Sequence, residues 1–138
     1  GVSGEQDLGR LLAGLEPHLH PEVLVYASID PGVPLPAVGA FAVIVEEEGT
    51  TLVLRAVDAD AVELSPEFPC RRIELRVHSS LDAVGMTAAF ATALADHGIS
   101  ANVIAGLRHD HLLVPVDDAE RALDVLLDLQ RRSAAQSS

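Results

Sequence analysis

The chain has 138 residues and a mass of 14.5 kDa, which excludes a large multidomain enzyme. Its nine basic residues are all arginine and face 21 acidic ones, so a net charge of −12 disfavours nucleic-acid binding through phosphates. Hydrophobic residues make up 49% of the chain, enough to predict a folded core. The single cysteine, Cys70, and the lack of a signal peptide or an apolar run of ~18 residues predict a cytoplasmic protein without disulfides or membrane association.

The first half of the chain predicts an amphipathic helix followed by three strands. Four leucines from Leu8 to Leu15 recur with helical spacing, and Pro17 ends that helix. The segment from Glu46 to Thr50 is typical of a hairpin turn. The predicted elements are a helix over 8–15, a loop over 17–21 that holds His18 and His20, strands over 23–29, 40–45 and 51–54, a short helix over 57–64 and a connector over 65–69.

The second half predicts the order strand, helix, strand, strand, helix. Residues 72–77 alternate between polar and apolar side chains, as expected for a strand with one buried face. A capping box that begins at Ser79 precedes a helix over 81–97, which Gly98 is placed to end. The remaining predicted elements are strands over 99–105 and 111–116, a helix that opens with a capping box over 117–120, and a disordered tail over 133–138.

Two helices packed on one face of an antiparallel sheet satisfy this pattern, which predicts the α+β class. The predicted core of the second half joins three strand residues to four helical ones: Ile73, Leu75 and Val77 with Phe90, Leu94, Leu123 and Leu126.

Two segments, with the order of the elements, resemble an ACT domain. They are 78–88, which reads HSSLDAVGMTA, and 105–115, which reads AGLRHDHLLVP; 46–54, EEEGTTLVL, is also similar. From about Leu8 to Leu129 the chain resembles small bacterial tandem ACT-domain proteins. The resemblance implies two ferredoxin-like, βαββαβ-related units with antiparallel sheets and helices on one face. The first unit, 1–68, has a permuted order, and the second covers 69–132.

The resemblance further implies a non-catalytic regulatory protein that binds a small ligand of the amino-acid class. In ACT domains the ligand lies at the turn between the first strand and helix, against the second strand of a neighbouring unit. A helix N-terminus can hold a carboxylate, Gly85 permits close approach, and Asn102 offers donors and an acceptor. The implied ligand residues are Ser79, Ser80, Leu81, Asp82, Val84, Gly85, Met86, Thr87, Ala101, Asn102, Val103 and Ile104.

Structural roles for the same residues stay open. Ser79 serves equally as a helix cap, Gly85 as a packing residue, and Asn102 as a surface hydrogen-bonding group. A protein-interaction module with a vestigial ligand site is therefore the alternative function. A small metal-dependent enzyme that uses His109, Asp110 and His111 is the third.

No metal, cofactor or catalytic residue is expected from the sequence motifs. His109 and His111 share a face of a strand, but a zinc or iron site needs a third ligand that no spacing supplies. The chain lacks nucleophile-elbow and phosphate-loop motifs, and Cys70 is more typical of a small buried residue than of a nucleophile.

A homodimer is the expected assembly. An antiparallel ACT sheet leaves open edges and one uncovered face, and this chain has no lysine with which to protect an edge. Pairing with a second copy across a two-fold axis would cover both. Pairing of the two halves within one chain is the alternative. The expected partners are thus a small-molecule ligand and a second copy, with no nucleic acid and no membrane.

Overall fold

The computed structural model describes residues 7–76 and 84–137, which form one six-stranded antiparallel sheet with helices. The strand order is β2-β3-β1-β4-β6-β5. The predicted α+β class is confirmed. The elements are α1 (Leu8–Ala13), β1 (Glu16–Ile29), β2 (Ala42–Glu46), β3 (Gly49–Arg55), α2 (Ala56–Ala61), β4 (Glu67–Arg76), α3 (Met86–Asp96), β5 (Asn102–Ala105), β6 (His109–Pro115), a 3₁₀ turn (Val116–Asp118) and α4 (Ala119–Ser137).

One face of the sheet, here called the helix face, carries two apolar cores. The larger core joins α1, α3 and α4 to β4 and β6, and includes Ile73 and Leu75 packed with Phe90, Leu94 and Leu126, as predicted. Val77 lies outside the described residues. The smaller core packs α2 against β1 and β3.

Leu123 does not belong to the larger core as predicted. It is only half-buried, whereas Val125, about 200° round the helix from it, is buried. The helical spacing alone did not show which side of α4 is buried. In the structure, α4 packs against α1 and the sheet with the side that carries Val125, Leu126 and Leu129.

The opposite face of the sheet, here called the open face, has a cluster without any helical residue. Leu24, Val53, Cys70 and Leu113 form its buried part. Cys70 is fully buried and its Sγ donates to the Leu24 carbonyl at 3.4 Å. Burial raises the pKa of its thiol to about 11, which fits the predicted role as a small core residue.

The predicted loop over residues 17–21 is wrong, since these residues belong to β1. The first part of β1 pairs with β4, placing Pro17 opposite Leu75, whereas β3 pairs with β1 only from Leu24 onwards. A register shift between Leu19 and Val23 accommodates Pro21. Prolines are tolerated at a strand's free edge and at irregularities, and β1 provides both.

Helix α3 starts later, and α4 ends later, than predicted. Gly85 precedes α3 with a φ of 92°, which is incompatible with a helix running through it from residue 81. Helix α4 continues past Arg132 to Ser137, and Ser133 is only 7% exposed. The Gln130 side chain donates to the Ala13 carbonyl at 2.7 Å, which joins α4 to α1.

The predicted boundary between residues 68 and 69 falls inside β4, and it stays a prediction. The predicted connector over 65–69 is shorter, because β4 begins at Glu67. Strand β4 pairs with β1 on one side and β6 on the other, so it joins the two halves into a continuous sheet.

None of the described helices is long and apolar enough to cross a membrane.

Candidate functional site

Part of the predicted ligand site lies at the start of α3. Ser79, Ser80, Leu81 and Asp82 lie outside the described residues. The other four differ in burial: Val84 is 84% exposed, Gly85 is half-buried, Met86 is buried in the larger core and Thr87 is exposed.

Gly85 has a structural reason to be glycine. Its left-handed φ of 92° is one that side chains rarely adopt, and a Cβ there would lie 3.3 Å from Cδ2 of Leu8. The backbone turn and the contact with α1 therefore both favour glycine. These requirements hold whether or not a ligand approaches this turn.

The other predicted ligand residues lie on or next to β5 and divide between the two faces of the sheet. Val103 pairs with Leu112 and packs, like Ala101, against the larger core. Asn102 and Ile104 point to the open face, where Asn102 is exposed. Ala101 and Val103 thus share a core with Met86, whereas Asn102 does not.

Asn102 contributes to a shallow cavity on the open face. The cavity has a volume of about 460 Å³ and is also lined by Tyr26, Glu67 and Phe68. The rings of Tyr26 and Phe68 meet edge to face with centroids 5.8 Å apart. Asn102 therefore lies beside two aromatic rings of its own chain. Its predicted place opposite the helix start of a neighbouring unit stays a prediction.

A polar cluster centred on Glu74 lies on the same open face, and the sequence analysis did not anticipate it. Arg76 Nε donates to Glu74 Oε2 at 2.7 Å, and Arg72 Nη1 and His20 Nε2 donate to Oε1 at 3.2 and 3.1 Å. His109 Nε2 is 3.9 Å from Oε2. These bonds, with that from Arg76 the largest cause, lower the pKa of Glu74 to about 2.

The cluster also fixes the guanidinium of Arg72. Its Nη1 donates to His111 Nδ1 at 3.1 Å, and its centre lies 4.8 Å from the Phe41 ring centroid. Burial, and then the charge of Arg72, lower the pKa of His111, which favours the neutral ring that this bond requires. Arg72 is thus held by hydrogen bonds and a cation–π contact.

Strand alternation was the signal that could have revealed this cluster. His18 and His20, Arg72 and Glu74, and His109 and His111 are pairs two residues apart, so each pair shares a face of its strand. The register places His18 and His111 directly opposite Glu74, on its two sides. The sequence did not show that β1, β4 and β6 are neighbours in the sheet.

The side chains of His109, Asp110 and His111, the candidate residues of a metal-dependent enzyme, do not point to a common site. Asp110 pairs with Leu75 on the helix face, whereas His109 and His111 point to the open face. Burial raises the pKa of Asp110. Within residues 7–76 and 84–137, no group of three or more histidine, cysteine or acidic side chains is arranged to hold a metal ion.

Comparison with known proteins identifies the architecture. Residues 3–71 and residues 67–128 each match a model of the ACT domain. A Vibrio cholerae protein of unknown function, described as a possible transport protein, is 41% identical, with 93% of this chain and 99% of that chain covered and a TM-score of 0.81. No protein of curated function matches the chain.

More distant structures share the fold. An Agrobacterium tumefaciens protein is 19% identical over 84% of this chain and 89% of that chain, with a TM-score of 0.71. The regulatory subunit of aspartate kinase from Thermus thermophilus is 14% identical over 82% of this chain and 95% of that chain, with a TM-score of 0.58. With two ACT matches in tandem and a relative that is 41% identical along nearly its whole length, the chain belongs to the ACT domain family, which supports a regulatory ligand-binding role.

Proposed function

We propose that this protein is a non-catalytic regulator that binds an amino acid and acts on another protein in the cytoplasm. The observation that carries the proposal is the fusion of two ACT units into one sheet. The Thermus thermophilus relative in fold is a regulatory subunit, which supports the same class of role. The single buried cysteine suits a reducing compartment.

The proposed ligand site combines residues 79–87 of one chain with residues 101–104 of a second. Asn102 points to the open face and α3 packs on the helix face, so one chain does not direct both at the same ligand. A neighbouring copy can supply the missing half. The ligand carboxylate would bind at the start of α3, and Asn102 of the other copy would bind its polar groups.

A homodimer that brings β5 of one copy to the start of α3 of the other is therefore part of the proposal. Strand β5 forms one edge of the described sheet and β2 the other, where Val43, Ile44 and Val45 are 51%, 43% and 83% exposed. An apolar edge strand without lysine or proline is suited to pair with another strand, but pairing through β2 would not complete this site. Sedimentation should give twice 14.5 kDa for the wild type, and a mass of one chain at micromolar concentration would contradict the dimer.

Lysine substitutions test which edge pairs. The double variant Val43→Lys and Val45→Lys should still sediment as a dimer, because β2 and β5 are opposite edges of the described sheet and the proposed site needs β5 of one copy beside α3 of the other. A single chain would show that the copies pair through β2, because charge on an edge strand opposes pairing. Val57→Lys is the control, since Val57 is also exposed, at 66%, but lies on α2. A dimer that persists in the double variant would exclude pairing through β2.

The exposed β2 edge also favours the alternative, a protein-interaction module. A thermal-shift screen with the twenty common amino acids separates the two functions. A ligand at 100 times its dissociation constant should stabilise the native protein by about 2.7 kcal/mol. No shift with any amino acid would favour the interaction module.

The variant Asn102→Ala tests the proposed site without a folding penalty, because Asn102 is exposed on a terminal strand of the sheet. It should lose the ligand-induced shift. Ser28→Ala, which alters an exposed polar residue on the open face of β1, should keep it. A wild-type shift in Asn102→Ala would remove this residue from the site.

A further inference from the structure

A notch on the N-terminal half of the sheet, here called the β1 notch, is used by none of the residues assigned above to the ligand site. The pairing of β3 with β1 begins only at Leu24. The preceding part of β1 pairs with β4 on one side and has no described strand on the side of β3, and the notch forms on that side. Its volume is about 510 Å³, within the range of small-molecule sites. Residues of β1, β3, β4, α2 and the loop before β2 line it, among them His20, Glu22, Leu24, Phe41, Arg55 and Arg72.

We infer that the β1 notch is a second ligand site, for a small zwitterion with a carboxylate, an ammonium group and an apolar side chain. The inference goes beyond the proposed function, because no residue of 84–87 or 101–104 lines the notch.

Arg72 supplies the carboxylate-binding group. Its side chain is 19% exposed, and Glu74, His111 and the Phe41 ring hold its guanidinium through Nη1 and the cation–π contact. A guanidinium has five N–H donors, and both described hydrogen bonds use Nη1. Because its orientation is already fixed, Arg72 loses little conformational entropy when it binds a carboxylate with its remaining donors.

The acidic residues of the notch provide the opposite charge. Glu22 is exposed at the notch. Asp58 accepts from Arg55 Nε at 3.0 Å and from Nη2 at 3.3 Å, so these two lining charges balance each other. Glu22 also interacts electrostatically with Arg55, and Arg72 is paired with Glu74, which does not line the notch. The notch thus presents the exposed carboxylate of Glu22 and the unused donors of Arg72. A zwitterion complements this separated pair better than a simple cation or anion does.

The apolar lining accounts for the third part of the ligand. Leu24, Val38 and Phe41 line the notch beside these charges. Leu24 is buried on the open face, and Phe41 packs against the same cluster. An aliphatic or aromatic side chain placed here would be removed from water, which favours binding by about 25 cal/mol per Å² of apolar area.

Calorimetry with five apolar amino acids tests the inference: valine, leucine, isoleucine, methionine and phenylalanine, each titrated alone into the full chain. At least one should bind. Its analogues that lack the ammonium group or the carboxylate should bind more weakly, because each loses its contact with Glu22 or with Arg72. Failure of all five to bind the wild type would overturn the inference.

Paired variants locate the site. Arg72→Leu should weaken binding about tenfold or more, a change of ~1.4 kcal/mol. Arg76→Gln is its matched control, because Arg76 also donates to Glu74 but does not line the notch. Glu22→Gln should also weaken binding, whereas Glu16→Gln, an exposed residue of the same strand outside the notch, should not.

The outcomes separate this site from the proposed one. Loss of binding in Arg72→Leu with wild-type affinity in Asn102→Ala supports the notch, whereas the reverse result overturns it and leaves the proposed function standing. If Arg72→Leu does not fold, as judged by circular dichroism, Glu22→Gln decides, because that side chain is exposed. Wild-type affinity in Glu22→Gln would then overturn the inference.

Discussion

The two halves of the sheet differ in how their helix faces are covered. Among the described residues, three helices cover β4 and β6, and fifteen buried residues form their core. In the described part of the chain, the half formed by β1, β2 and β3 has the six-residue helix α2, the partly buried Val38 and Ala40, and a core of six buried residues. We therefore expect the C-terminal half to dominate stability and the N-terminal half to tolerate change.

A charge placed in the larger core should have the largest effect. Leu75 is fully buried between the sheet and the helices, so Leu75→Asp would bury an unpaired carboxylate. We expect a loss of about 4 kcal/mol or more and an unfolded chain, measured by circular dichroism and denaturation. A Leu75→Asp protein with wild-type melting behaviour would refute the core described for this half.

Matched cavity variants compare the two halves directly. Leu126 in α4 and Leu54 in β3 are both fully buried. Leu126→Ala should cost about 4–5 kcal/mol and Leu54→Ala about 2–3 kcal/mol, because the thinner cover around Leu54 can collapse into the space. Urea denaturation of both variants measures the difference. Equal losses would show that the depth of cover does not control stability here.

A smaller effect is expected at Gly49, which begins β3, and it can be compared with Gly32 in the loop between β1 and β2. Gly49 has a φ of 150°, and a Cβ there would lie 2.5 Å from the Ile29 carbonyl oxygen. Gly32 has a φ of 80° with open space around its Cβ position. Gly49→Ala should therefore destabilise by about 1–3 kcal/mol, and Gly32→Ala by less. Thermal unfolding checks this order, which equal melting temperatures would contradict.

The smallest effect is the pH dependence contributed by Glu74. Its pKa is lowered from 4.5 to about 2, first by the hydrogen bond from Arg76, so its ionised form stabilises the native state. That stability is present above pH 4.5 and is lost as the pH falls towards 2. The free energy of unfolding of Glu74→Gln should therefore fall less steeply with acid than that of the wild type. The exposure of Arg76 limits the size of the effect.

Glu67→Gln serves as the control for the acid titration. Glu67 is exposed on the same strand and its removal should leave the acid dependence unchanged. If the Glu74→Gln and wild-type curves run parallel between pH 4.5 and 2, the cluster does not stabilise the native state through its charge.

Gly85 shows why a substitution at a predicted ligand residue can be an ambiguous test. The sequence predicted a helix from residue 81, whereas Gly85 precedes α3. Its positive φ and its contact with Leu8 mean that Gly85→Val would strain the backbone whether or not a ligand binds. Asn102→Ala is the cleaner test, because Asn102 is exposed and its removal strains nothing.

The sequence by itself determined the elements whose side chains repeat with a clear period. The alternation through Ile73 and Leu75 and the spacing of Leu11, Leu12 and Leu15 each report which side of an element is buried, and these are local properties. The strand through Pro17 and Pro21 was missed, because two prolines oppose a strand locally and only a free edge and a register shift permit one.

Only the tertiary structure decided which strands are neighbours, and the Glu74 cluster and the β1 notch depend on that. Glu74 is opposite His18 on one strand and His111 on another, residues 93 positions apart in the chain (111 − 18). The period of each strand fixes the face on which its side chains lie but carries no information about the adjacent strand. Strand order follows from burying the apolar faces of all the helices and strands together, so it is a property of the whole fold.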